Sequence, residues 1–185
     1  MTNNQPILRQ FIMEYGSILG ISWTAVFALY VIGLRQQSGT LLAVGFLGLL
    51  ALLAIEAMLG IRIKVRTVQL ELRPTFILSL LNVLSMFMYA CILCGALEYC
   101  YFAWLDKGAV VSALNALILD SNMKEIYHQM GMQETYKQLE QALGQFGTLS
   151  AYEKTFMLFN QNFFTALILS IPIGLVSYFY KPRTL

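Results

Sequence analysis

Four long apolar runs constrain this chain more than any other feature. They cover residues 11–34, 41–61, 75–104 and 155–180. Each reaches or exceeds the roughly 20 residues that cross a bilayer core as a helix. The third, near 45 Å long at about 1.5 Å per residue, must tilt or project beyond the hydrocarbon. Composition agrees. Hydrophobic residues make up 58% of the 185 and charged residues only 12%, about half the usual share for a soluble domain. A disordered chain and an ordinary soluble domain are both excluded. The predicted fold is an all-α integral membrane protein, one domain over residues 1–185. Four transmembrane helices carry an extracytoplasmic amphipathic helical loop, 105–154, between the third and fourth.

Basic residues in short loops set the orientation. Arg62, Lys64, Arg66 and Arg73 follow the second run, Lys181 and Arg183 follow the fourth, and Arg9 precedes the first. The loop 105–154 sets Lys107, Lys124, Lys137 and Lys154 against six acidic residues. Both termini are therefore expected in the cytoplasm and the long loop outside. Tyr99, Tyr101, Phe102 and Trp104 fall at the predicted outer interface, and Tyr178, Phe179 and Tyr180 at the inner one, levels that amphipathic rings prefer. The first run is too long for a signal core, and no small-residue cleavage site follows it. It reads as a retained helix.

Inside the long loop, Asn122 with Glu125 resembles a helix N-cap and its capping-box partner. Met132, Tyr136, Leu139, Leu143 and Phe146 recur at helical spacing on one face. Gly144 or Gly147 is expected to end that helix. After the second run, Ile61, Ile63, Val65, Val68, Leu70 and Leu72 nearly alternate with polar residues. That pattern fits two short strands with a turn, or a frayed helix end with snorkelling basic side chains.

Ionisable residues within membrane helices are the first functional candidates, because the bilayer makes them expensive. Glu14 and Glu56 both fall near the predicted cytoplasmic side. They read as a proton- or cation-binding pair, or as interface carboxylates paired with the basic loop. Glu98 shares a helix face with Cys91 and Cys94 at 100° per residue. One helix supplies all three, so a hydrogen-bonded carboxyl is favoured over a metal or redox centre. Asn82 and the group Asn160, Gln161 and Asn162 are expected to bond between helices. The lone histidine, His128, reads as a solvated loop residue. Gly16 and Gly20 form a small-xxx-small pair for close helix packing. Pro172 is expected to kink the fourth helix. There is no Gly-rich phosphate loop, serine–histidine–acid set or zinc-ligand spacing, so no cofactor or metal is expected. Net charge is only +2 and no basic stripe is present, so nucleic acid is not an expected partner.

Several stretches carry a family resemblance. Met86-Phe87-Met88-Tyr89-Ala90, Glu98-Tyr99-Cys100-Tyr101-Phe102 and Leu105-Asp106-Lys107-Gly108 resemble bacterial four-helix membrane proteins grouped as domain of unknown function 4199. Arg9-Gln10, Glu14-Tyr15-Gly16 and the Met- and Gln-rich segment 130–143 are similar to that family too. Glu98 stands where the family often has His, and Leu72-Arg73-Pro74 where it has a Gly- and Phe-containing turn. The resemblance implies a bacterial inner-membrane protein, often encoded beside a membrane glycosyltransferase. The expected function is therefore a non-catalytic accessory or scaffold protein for such an enzyme. Arg62, Lys64, Arg66 and Arg73 would contact anionic lipid or the partner. The alternative is a small dimeric transporter or channel using Glu14 and Glu56. A third reading is a lipid-headgroup enzyme acting through Glu98. Expected associations are the lipid bilayer and a membrane protein partner or a second copy.

Overall fold

The computed structural model describes residues 4–73 and 75–181. Arg183, counted above for orientation, and Pro74 lie outside them. The element order is α1 (Gln5–Arg35), α2 (Gly39–Gln69), α3 (Phe76–Cys100) with a π turn at Tyr101–Leu105, α4 (Ala109–Ile118), α5 (Ser121–Gln129), α6 (Gln133–Thr148) and α7 (Ala151–Phe179). The described residues contain no strand. α1, α2, α3 with its π turn, and α7 are long and apolar enough to cross a membrane.

The helix starts follow from local chemistry. Ser38 accepts a hydrogen bond from the Leu41 N–H, and Thr75 accepts one from that of Leu78. Ser150 and Glu153 form a reciprocal capping box, which starts α7 at Ala151. Asn160, Gln161 and Asn162 therefore lie about a third of the way along α7 and do not open it. The turns after α1 and α2 close in the same way. Ser38 N–H donates to the Gly33 carbonyl and Leu72 N–H to that of Thr67, with Gln37 and Glu71 left-handed.

The alternation after Ile61 is part of a helix, not a strand pair. α2 continues to Gln69 because Leu59, Gly60, Ile63 and Thr67, at helical spacing, are all buried. A strand there would also need a partner edge in the bilayer, which the helix does not.

The spans pack as a ring. α1 lies against α2 and α3, α7 lies against α2 and α3, and α2 and α3 are diagonal. Leu19, Val83, Met86, Phe87, Ala90, Cys91 and Ala166 form its centre, all fully buried. α1 and α3 approach through Gly16. A Cβ there would lie 2.6 Å from the Tyr89 Cβ and 2.7 Å from the Met86 carbonyl oxygen. The Gly16–Gly20 pair thus serves packing within one chain, where close backbone approach supplies van der Waals energy that lipid does not. One end of the ring carries Arg62, Arg66, Arg73 and Lys181, the basic end. The other carries α4 to α6, the loop end. α7 runs through Pro172 without interruption.

At the loop end Asp106 directs the chain. Its carboxylate accepts from the Gly108 and Val110 N–H groups and from the Tyr101 hydroxyl. Lys107 and Gly108 are both left-handed there, at φ 43° and 81°. α4 packs on α1, and α6 on α4 and α5. Tyr136 and Leu143 are buried and Leu139 and Phe146 half-buried, as the helical spacing predicts, whereas Met132, just before the helix, is exposed. The cap of α5 is Asp120, not Asn122, which instead donates to the Asp120 carboxylate. α6 runs past both Gly144 and Gly147 to Thr148. It stops there because Leu149 is extended and leads directly into the Ser150 cap.

Candidate functional site

The ring holds a half-open cavity of about 360 Å³, lined from all its members. This size suits a small molecule. Leucines of α2 and α7 form much of its apolar wall, with Trp23, Val26, Phe27 and Tyr30 from α1. Into it α2 contributes Glu56, α3 contributes Cys94 and Glu98, and α7 contributes Gln161, Asn162 and Thr165.

The two carboxyls are held alike. Glu56 lies near the middle of its 31-residue helix and is 2% exposed. The Trp23 indole N–H donates to its Oε1 at 3.0 Å. Glu98 is 3% exposed. The Cys94 thiol and the Asn162 amide both donate to its Oε1, at 3.4 and 3.5 Å. In each case Oε2 is buried and has no hydrogen-bond partner. An unmade hydrogen bond of this kind costs about 1–3 kcal/mol, more for a charged group. Such groups need an explanation in a folded protein.

The cavity has a mouth between α2 and α7. At the basic end these helices are fastened together. The Ser177 hydroxyl donates to the Gly60 carbonyl at 2.9 Å, and the Lys64 ammonium to that of Tyr178 at 3.2 Å. Towards the loop end α2 leans on α1 instead, with Gly45 against the Tyr30 ring and Gly48 against Val26. There Leu49, Leu50 and Leu53 of α2, and Gln161 and Thr165 of α7, line the cavity and are also exposed.

The carboxylate pair expected from sequence does not form. Glu14 is exposed, and Trp23, the partner of Glu56, lies nine residues further along α1, about 13 Å by helical rise. Glu56 instead shares a cavity with Glu98. α2 runs eight residues beyond the apolar stretch that ends at 61, which places Glu56 near mid-span instead of near its cytoplasmic end. The Cys94–Glu98 contact is the one that the 100° arithmetic predicts. No group of three or more His, Cys, Asp or Glu capable of holding a metal occurs among the described residues.

Of the basic residues, Arg62 and Arg73 are exposed, and Arg66 is half-buried over the Phe11 ring at 4.6 Å. Lys64 departs from the expectation of lipid or partner contact. It is 6% exposed and lies over the Tyr178 ring, turned into the bundle. Asn82 is buried beside a separate hollow of about 480 Å³ at the basic end, with Gln5, Arg9, Ser85 and Tyr89. His128 is exposed. Sequence reasoning missed Trp23. Its only signal was a lone mid-helix indole, a group that seeks an acceptor when buried.

A family model described as "Protein of unknown function (DUF4199)" matches residues 14–177. No curated protein and no solved structure matches the chain.

Proposed function

The chain belongs to the DUF4199 family, and from that premise we propose that it is a carrier-type membrane protein whose central cavity binds a small molecule. The observation behind this reading is the pair of buried carboxyls, Glu56 and Glu98, each with one unpartnered oxygen beside an apolar chamber. An acidic side chain at the bilayer centre costs about 2.5–3.5 kcal/mol on insertion scales. A purely structural bundle has no use for two of them with half their acceptors empty. One chain supplies the chamber's lining from all four spans, so a second copy is not needed to build it. The positive-inside rule turns the basic end, with Arg62, Arg66, Arg73 and Lys181, towards the cytoplasm. α4 to α6 then lie outside, in a bacterial inner membrane.

A second reading, an accessory subunit for a membrane glycosyltransferase, is favoured by the exposed Arg62 and Arg73. Near an anionic leaflet each is worth about 1 kcal/mol. One experiment addresses both. The protein is purified from native membranes in mild detergent, and its bound proteins and solvent-extracted small molecules are identified by mass spectrometry. The carrier reading expects a small molecule retained by the wild type and depleted in the double variant Glu56→Gln, Glu98→Gln. Identical extracts from the two overturn it. A stoichiometric protein partner that survives the double substitution establishes the accessory reading.

A further inference from the structure

The two carboxyls stand at different heights. Gly60 of α2 abuts Val83 of α3. From that level Glu56 lies about one helical turn towards the loop end and Glu98 about four. Their backbones therefore differ in height by about 16 Å. Side chains lean towards the N-terminus of their own helix. α2 and α3 run in opposite directions, so Glu56 leans towards the loop end and Glu98 towards the basic end. The two carboxyls approach each other across the chamber but remain separate anchoring points.

The wall between and around them is Leu50, Leu53, Val26 and Leu169, with Phe27 and Tyr30 beyond. Among the described residues no Lys, Arg or His lines the chamber. A ligand bearing phosphate or carboxylate would therefore meet two acidic groups and no compensating cation. What is missing is a second hydrogen-bond donor at each end, for the Oε2 of Glu56 and of Glu98, and what the site offers in between is apolar surface. Aromatic faces nearby also favour a cation.

We propose that the chamber takes a linear aliphatic diamine, one ammonium group donating to Glu56 and the other to Glu98, with the methylene chain along the leucine wall. This rests on the carrier reading above and deepens it. At the mouth between α2 and α7 the polar side chains of Gln161 and Thr165 stand beside the exposed Leu49, Leu50 and Leu53. A monoamine can satisfy only one carboxyl at a time. A quaternary cation brings no N–H and satisfies neither.

The protein holds its own reporter. The chain has two tryptophans. Trp23 bonds to Glu56 inside the chamber, whereas Trp104 is 68% exposed. In a Trp104→Phe background, the purified protein in detergent is titrated with α,ω-diaminoalkanes of increasing length, followed by Trp23 fluorescence. The matching n-alkylamines, α,ω-diols and bis-trimethylammonium alkanes serve as comparisons. The expected result is an affinity optimum at one diamine length, about tenfold or more above the monoamine of that length, a difference of about 1.4 kcal/mol. Glu98→Gln then lowers the diamine to the level of the monoamine and leaves the monoamine bound at Glu56. Equal affinity for monoamine and diamine overturns the two-point site, and equal affinity for the diol overturns the charge assignment. If no amine in the series perturbs Trp23, the ligand class is wrong. The retained-molecule experiment still decides independently whether the chamber binds anything else. The amine series in the Trp104→Phe background needs no carboxyl variant to fold.

Discussion

At the scale of single residues, the helix contacts are decided by whether a methyl group fits. Gly16 has no room, since a Cβ would meet Tyr89 and backbone of α3. Gly16→Ala should cost about 1–3 kcal/mol, the usual penalty for overpacking, and should lower the temperature at which the detergent-solubilised protein aggregates. Gly144 on α6 has nothing within 4 Å of the added atom. Gly144→Ala should leave that temperature unchanged or raise it, because alanine favours a helix by about 0.5–1 kcal/mol. The contrast was partly legible in the sequence. The spacing of Gly16 and Gly20 marked a packing face, while nothing local identified Tyr89 as the neighbour. The site shows the same division. Cys94 and Glu98 sit one turn apart on one helix, so their contact follows from periodicity alone. Trp23 and Glu56 meet only because α1 and α2 pack at one particular rotation, and no local pattern encodes that rotation.

At the scale of elements, α2 differs most from its sequence pattern. Charged residues after Ile61 suggested that the helix had left the membrane and ended. In fact the helix continues and sorts those charges by face. Lys64 turns inward onto the Tyr178 carbonyl, and Arg62, two residues away, turns outward. Lys64→Ala should therefore destabilise the bundle by about 1.5–3 kcal/mol, the range for a hydrogen bond to a charged group. Arg62→Ala and Arg73→Ala should stay within about 0.5 kcal/mol. Denaturant titration in mixed micelles would rank them. Three similar values would remove the inward role of Lys64. The near-alternation that suggested strands arises because buried Ile63 falls among the half-buried Ile61, Val65, Leu70 and Leu72 and the exposed Val68. In lipid an exposed Val or Leu costs nothing, so hydropathy loses its power to tell inside from outside.

At the scale of the whole molecule, the ring order α1–α2–α7–α3 was not legible at all. The short link between α2 and α3 suggests neighbours, yet they lie diagonal. The packing of α7 against both depends on complementary surfaces that a list of spans does not contain. Sidedness, by contrast, is a sequence property and can be measured. In a variant lacking Cys91, Cys94 and Cys100, a cysteine placed at exposed Lys137 should react with a membrane-impermeant maleimide on intact cells. One placed at Arg73 should react only after lysis. The reverse pattern would invert the molecule.

The π turn at the end of α3 gives this architecture a numerical tolerance. Asp106 N–H reaches back five residues to the Tyr101 carbonyl at 2.9 Å, so the helix holds one residue more than a regular turn would. Removing Ala103 would take out that extra residue and leave ordinary winding, with Asp106 and α4 to α6 still on the same side of the ring. Removing one residue from the regular part of α3 would instead turn everything after it by about 100° around the axis and lift α4 off its seat on α1. The π turn is thus a slack link between the span and its cover, with a residue to give up where the regular helix before it has none.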